Sequence, residues 1–182
     1  GMNTAGFPVE QPADRTCANA LAWLEEQPGE PFFAWVHFFD PHAPYAPPEA
    51  YAAGLDDPYD GEIAFVDSQL GRLVDWLEHA GLLDETLVVV AGDHGEAFNE
   101  HGVDKHGYFV YDTTLRVPLI LSFKSRIPTG EVVAGNVSLI DLYPTILELM
   151  GWEIPSAIDG RSLVSSWTNA DFEDAPVYAE SE

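Results

Sequence analysis

A chain of 182 residues with 46% hydrophobic content is long enough for one α/β domain with a real core, and the length favours one domain over two. Seven Lys and Arg against 31 Asp and Glu leave a formal charge of -24, which argues against a nucleic-acid backbone or an anionic membrane as partner. The acids are scattered and not in blocks, so adaptation to high salt is the preferred reading over an acidic face for cations or a basic partner.

Residues 1–11 are rich in Gly, Pro and polar side chains and read as a loose or vector-derived leader. Asp14 can cap a helix running to about Glu26, with Ala18, Leu21, Ala22 and Leu24 on its apolar side and Pro28-Gly29 ending it. The lone Cys17 lies on that helix as a packed residue and excludes an internal disulfide or a thiolate metal cluster. Pro31 to Phe39, PFFAWVHFF, reads as a buried strand whose aromatics Phe32, Phe33, Trp35, Phe38 and Phe39 belong to the core, with His37 as a satisfied core histidine. It leads into Asp40-Pro41-His42-Ala43-Pro44-Tyr45, where prolines on both sides of His42 fix the backbone that carries its imidazole.

Asp60 to Gly81 is the clearest helix, because Ile63, Val66, Leu70, Leu73, Val74 and Leu77 recur every three or four residues and Gly81 supplies a stop. His79 reads as the end of that surface helix. Leu87 to Ala91 is a short apolar run without alternation, the pattern of a strand covered on both faces in a parallel sheet. Ligands collect beyond the carboxyl ends of such strands, and the residues there are Asp93 and His94, a carboxylate and an imidazole able to converge on one cation. The bland alternative makes Asp93 a turn cap and His94 an ordinary loop residue. Against it, His94, His101 and His106 place three of the chain's six histidines within thirteen residues.

Tyr111 to Leu115 reads as a short irregular or helical piece, and Val117 to Phe123 as a strand at an edge or bulge, given Pro118. Glu131 to Val137 is a weak pairing candidate. Ser138 to Gly151 is an amphipathic helix with Leu139, Leu142, Ile146, Leu149 and Met150 inward and Pro144 tolerated in its first turns. From Glu153 the pattern dissolves into an acidic tail. Alternating strands and helices predict an α/β fold, a mostly parallel sheet with helices on both faces, but three good strands are few for a free-standing sheet. The expected partition is a leader over 1–11, a partial domain over 12–165 and a truncated acidic tail over 166–182.

The ordered blocks DPHAPYAPP, YDGEIAFVDSQLGRL, VVVAGDHGE, EHG with KHG, YDTTLRVPLIL and SLIDLYPTILELMG, spread from Pro31 to Leu163, resemble a sulfatase. The resemblance implies the three-layer sandwich of the alkaline-phosphatase-like superfamily and the hydrolysis of sulfate esters with a divalent metal. It places Asp93 and His94 at metal-binding positions and His42 at the position that contacts the sulfuryl group or leaving oxygen. His106 stands near a position usually held by Lys, with Lys105 as the other choice. His42 and His106 are therefore the catalytic candidates, and Lys105 and His101 the substrate-binding ones, with His101 alternatively hydrogen-bonded within its loop. Arg116 reads as one side of a structural ion pair with a carboxylate such as Asp112.

Ca²⁺ is the metal the family implies, while the nitrogen of His94 suits Mn²⁺ or Zn²⁺ better. The family's formylglycine arises in a C-x-P-x-R or S-x-P-x-R block, and neither occurs here, since Cys17 is followed by Ala18, Asn19 and Ala20. That block is expected in an upstream segment, making this chain a carboxyl-proximal piece, inactive alone. The partner implied is a sulfate ester or a related anionic small molecule or glycan, with no nucleic acid and no membrane contact. The alternatives are a phosphodiesterase, phosphonate hydrolase or phosphoglycerol transferase of the same superfamily, or a non-catalytic binding module.

Overall fold

The computed structural model describes residues 10–27, 29–103, 106, 109–168, 172 and 174–180, and the chain divides into two units, Gly1–Leu83 and Asp84–Glu182. Most of the expected leader falls outside the described residues.

In the first unit α1 spans Ala13–Glu25. Its cap is not Asp14. Pro12 holds the N-cap position, and the Ala13 N–H is taken by the Asp40 carboxylate at 2.6 Å, a tertiary partner that local sequence could not reveal. Burial pushes the Asp40 carboxyl above its ordinary range, while the Ala13 N–H pulls it back. A single turn, α2, covers Glu49–Ala52. The long helix α3 runs Pro58–His79, opened by Asp57, whose side chain accepts from the Tyr59 N–H at 2.9 Å. It closes in a Schellman motif: Gly81 at φ 70° donates to Glu78, and Leu82 donates to the Leu77 carbonyl at 2.8 Å.

α1 packs on α3, with Ala13, Cys17 and Leu24 buried from one helix and Phe65, Gln69 and Leu77 from the other. Cys17 has no exposed surface and its thiol donates to the Gln69 carbonyl at 3.5 Å, so it is the packed helix residue expected. The buried face of α3 is rotated from the apolar stripe read in the sequence. Gly61, Glu62, Phe65, Gln69 and Leu77 are buried, whereas Ile63 is 43% exposed. The closest glycine packing on α3 lies at Gly61, where an added Cβ would sit 2.7 Å from Pro47 Cγ and 3.0 Å from the Tyr51 carbonyl oxygen. A methyl-bearing residue would lift the helix off the turn beneath it.

Pro31 to Phe39 does not form the expected strand: it has no ladder partner among the described residues. Phe33 and Trp35 are 80% and 85% exposed and His37 is exposed too, so these are not core residues. Strand propensity expresses fit to neighbours on a pleated sheet, and without a paired neighbour the pattern alone does not make a strand.

In the second unit β1 (Val88–Ala91) pairs antiparallel with β2 (Leu119–Ser122), Val88 opposite Ser122 and Ala91 opposite Leu119. The mostly parallel sheet is therefore not what the described residues form. A parallel return needs a crossover of a dozen or more residues, usually a helix. Among the described residues between these strands the only α-helix is the four-residue α4 (Asp112–Leu115), which turns the chain back alongside β1. Pro118 sits just before β2, and its carbonyl accepts from the Gly92 N–H at 3.1 Å. No strand forms over 131–137.

A capping box of Ser138 and Asp141 opens the helical stretch expected from Ser138, first as a 3₁₀ turn at Leu139–Asp141 and then as α5, Leu142–Met150. Gly151 at φ 75° ends it as expected. Thr145, with no exposed surface, donates to the Asp141 carbonyl at 2.6 Å and accepts from the Leu163 N–H at 2.8 Å, tying α5 to the segment leading into α6 (Val164–Thr168). Beyond it the described residues 172 and 174–180 form no helix or strand yet are anchored: the Asp174 carboxylate accepts from the Asn136 N–H at 2.7 Å, and Arg161 stacks over Phe172 at 4.3 Å. No helix among the described residues is long and apolar enough to cross a membrane.

Candidate active site

β1 delivers its chain end to a loop that its own backbone pins down. After Gly92 extends the ladder, Asp93 and His94 leave the strand, and the Gly95 N–H returns to the Thr114 carbonyl at 2.8 Å. Gly95 is required there. A Cβ on it would collide with the Thr113 carbonyl oxygen and lie 3.2 Å from that of Arg116. Ala97 is buried at 2% exposure, so the loop is fixed on both sides of the Asp-His pair. Further along, Asn99 and His101 hold positive φ, 71° and 59°, a conformation that side chains other than Gly adopt uncommonly.

The pair is exposed at this strand end, with Asp93 accepting from the His94 N–H at 2.9 Å and its Oδ1 lying 3.9 Å from His94 Nε2. His106 is brought to the same place. Its ring centroid lies 4.0 Å from that of His94, with the planes tilted by 30°. Glu96 completes the group, its Oε1 3.0 Å from His106 Nδ1. Glu96 is the residue sequence reasoning missed. It directly follows the Asp-His-Gly motif, but one acid among 31 offers no contrast.

The hydrogen bonds fix the tautomers. His94 Nδ1 faces the Gly95 carbonyl at 2.9 Å and His106 Nδ1 faces the Glu96 carboxylate, so in each neutral ring Nδ1 carries the proton and Nε2 the lone pair. His42, in the first unit, repeats the pattern, with Nδ1 2.7 Å from the Ala43 carbonyl and its ring 4.2 Å from Phe39. Glu62 accepts from the backbone N–H groups of both His42 and Ala46 in that turn.

His101 is placed elsewhere, stacked on Tyr111 with centroids 4.4 Å apart. Lys105 lies outside the described residues. The ion pair expected between Arg116 and Asp112 does not form among the described residues. Instead the Arg116 N–H donates to the Asp112 carbonyl at 2.9 Å as α4 ends. His79 ends α3 as expected, its Nδ1 2.6 Å from the Asp75 carbonyl.

The sulfatase family model matches residues 4–152. The chain belongs to the sulfatase family. N-acetylglucosamine-6-O-sulfatase of Bacteroides thetaiotaomicron is 38% identical over 106 residues, covering 58% of this chain and 19% of the relative. Steryl-sulfatase of Mus musculus is 30% identical over 165 residues, covering 82% of this chain and 26% of the relative. Among solved structures, the phosphonate monoester hydrolase of Silicibacter pomeroyi superposes with a TM-score of 0.78 at 26% identity, over 99% of this chain and 47% of that one. The chain thus spans about a fifth to a quarter of the length of these curated relatives, and under half of that structure. Its α/β elements are those of the sulfatase and alkaline-phosphatase-like folds.

Family members use a divalent metal, and the donors present fit one in part. Asp93 and His94 Nε2 are a hard oxygen and a nitrogen 3.9 Å apart, within the roughly 3–4 Å that separates two ligands of one cation. Among the described residues no group of three His, Cys, Asp or Glu side chains completes a site. Two donors fall short of the four or more such ions take.

Proposed function

We propose that this chain supplies the cation- and oxyanion-contacting part of a sulfatase active site, built on the three-layer, mostly parallel sandwich of the alkaline-phosphatase-like superfamily. Asp93 and His94 would hold the divalent metal, which would supply stabilisation of negative charge on sulfate oxygens and activation of a nucleophile. His106, with Nδ1–H held by Glu96, presents Nε2 to the anion, and a proton carried there can pass to the departing alkoxide. His42 presents its own Nε2 from a turn clamped by Glu62. Lys105 and His101 are assigned to substrate binding, Lys105 as the alternative to His106 at the position usually held by Lys. The stacking of His101 on Tyr111 supports an apolar flank rather than contact with the reacting group.

No C-x-P-x-R or S-x-P-x-R block occurs in the 182 residues, so the reading assigns the formylglycine nucleophile to a segment outside this sequence. The substrate proposed is a sulfate ester on an anionic small molecule or glycan, in keeping with the N-acetylglucosamine-6-O-sulfatase relative. The observation that carries the reading is the convergence of His94, His106 and Glu96 beyond β1, beside Asp93, in a chain of this family.

Calorimetric titration of the chain with Ca²⁺, Mn²⁺ and Zn²⁺ tests it. Weak binding is expected, lost in both Asp93→Ala and His94→Ala, with no hydrolysis of an arylsulfate by the chain alone. Binding unaffected by either substitution would sink the metal assignment, and turnover by the isolated chain would sink the account of the nucleophile. The nitrogen donor of His94 specifically favours a second reading, phosphodiester or phosphonate hydrolysis. A preference for Mn²⁺ or Zn²⁺ over Ca²⁺, with faster cleavage of a phosphodiester than of an arylsulfate once a nucleophile segment is supplied in the same polypeptide, would select it.

A further inference from the structure

Glu62 is a charged side chain at a buried position of α3, 4% exposed. Its two oxygens are both used on one target: Oε2 accepts from the His42 N–H at 2.9 Å and Oε1 from the Ala46 N–H at 2.7 Å. The turn between those residues carries His42, and its other end is held through Asp40, which accepts from the Ala13 N–H. Gly61, the preceding residue, lets Pro47 of the same turn settle against the helix. A buried carboxylate is expensive to desolvate, and an apolar contact could anchor a loop at lower cost. The carboxylate offers something a neutral isostere does not, an acceptor at both ends. A Gln amide accepts at one end and turns its own N–H groups toward the second backbone donor.

We propose that Glu62 is a positioning residue for His42: it grips the turn at two backbone N–H groups and thereby sets the direction of the imidazole edge bearing Nε2. Two local contacts of the ring fit this arrangement, with Nδ1 on the Ala43 carbonyl and one face on Phe39. With the backbone at His42 and Ala46 fixed, these contacts help to orient the ring plane. Released from Glu62, the turn keeps its prolines but loses the reference that ties it to α3. The purpose of this arrangement rests on the reading of His42 as an anion contact, while the arrangement itself does not.

Nuclear magnetic resonance on the whole 182-residue chain tests both. In the unsubstituted protein, scalar couplings across the hydrogen bonds are expected from the His42 and Ala46 amides to the Glu62 side-chain carboxyl carbon. In Glu62→Gln one of the two couplings is lost, the His42–Phe39 ring contact weakens, and the response of the His42 ring to inorganic sulfate falls by roughly 10- to 100-fold, the range for losing a group that orients a contacting side chain. Glu62→Asp, which keeps the charge and shortens the reach, should retain one amide and lose the other. Phe65→Leu, on the same buried face but touching Tyr51, lowers the melting temperature while leaving the His42 signals and their sulfate response in place, a separation that a merely structural role of Glu62 would not give. Absence of the couplings in the unsubstituted chain, or an unchanged His42–Phe39 contact in Glu62→Gln, overturns the proposal. Couplings present and lost as expected, with no sulfate response even in the unsubstituted chain, support the positioning by Glu62 and refute the anion-contact reading of His42.

Discussion

Gly95→Ala separates a packing requirement from ordinary glycine flexibility. Replacing Gly by Ala at a position Ala can adopt stabilises a protein by about 0.4–1 kcal/mol, by limiting the unfolded chain. At Gly95 the added methyl meets the Thr113 carbonyl oxygen and lies 3.1 Å from the Thr113 carbonyl carbon and 3.2 Å from the Arg116 oxygen. All three are backbone atoms and none can swing aside. Overpacking of this kind costs about 1–3 kcal/mol, leaving a net loss of about 1.3 kcal/mol at the midpoints after the unfolded-state gain. For a unit of about 100 residues that is a fall of roughly 5–10 °C in melting temperature. Relief requires the loop to move by about an ångström, and disturbing the contacts that orient metal ligands lowers metal affinity by roughly 10- to 100-fold. Melting followed by circular dichroism, with calorimetric metal titration and the His94–His106 ring contact read by magnetic resonance, provides the assay. Gly92→Ala is the comparison, because its nearest neighbours are the Pro118 Cδ and Val117 Cβ side-chain atoms at 3.3 Å, and it should lose less. A Gly95→Ala chain that melts at or above the unsubstituted temperature with the ring contact intact would show that the Thr113 carbonyl leaves room for a methyl group.

Gly71→Ala should do the opposite: it lies inside α3 with nothing within 4 Å of an added Cβ, so stability should rise by about 0.8–1 kcal/mol, checked by denaturant melting. Burial holds the Cys17 thiol above its ordinary range and out of solvent, so alkylation at neutral pH should track global unfolding; labelling of the native chain at the rate of a free thiol would contradict the packing. Burial also raises the Asp40 carboxyl above its ordinary 3.8, so the native state binds this proton more tightly than the unfolded chain and the associated stability is lost as pH rises through the native value. Asp40→Asn, which keeps an acceptor for the Ala13 N–H, should therefore melt higher than the unsubstituted chain at neutral pH, the gap closing as pH falls below the ordinary value. With a formal charge of -24, raising KCl from 0.1 to 1 M shortens the screening length from about 10 to about 3 Å and should raise the melting temperature; a flat response would remove the high-salt reading of the composition.

Local signals survived in the fold wherever their physics is local. Gly81 stops α3, Gly151 stops α5, and the unbroken run Leu87 to Ala91 contains β1, because turn chemistry and β-branching act within a few residues. Pairing does not act that way. The run at Pro31 to Phe39 carries as strong a strand pattern as β1 but finds no partner among the described residues, while Val117 to Phe123 found one in antiparallel sense, which hydrophobicity does not encode. The candidate site divides along the same line. Asp93, His94 and His106 stand out because histidine is scarce in this chain, and the meeting of His94 with His106 follows the density of that cluster. The carboxylates that orient the imidazoles are invisible for the converse reason, since acids are everywhere. Glu62 nevertheless left a trace. It shares a helical face with Phe65 and Gln69 at spacings of three and seven, and a charge on the buried side of an amphipathic helix demands a partner worth its desolvation. In a chain this acidic, the carboxylates that matter to the site are distinguished by where they are buried rather than by what surrounds them in sequence.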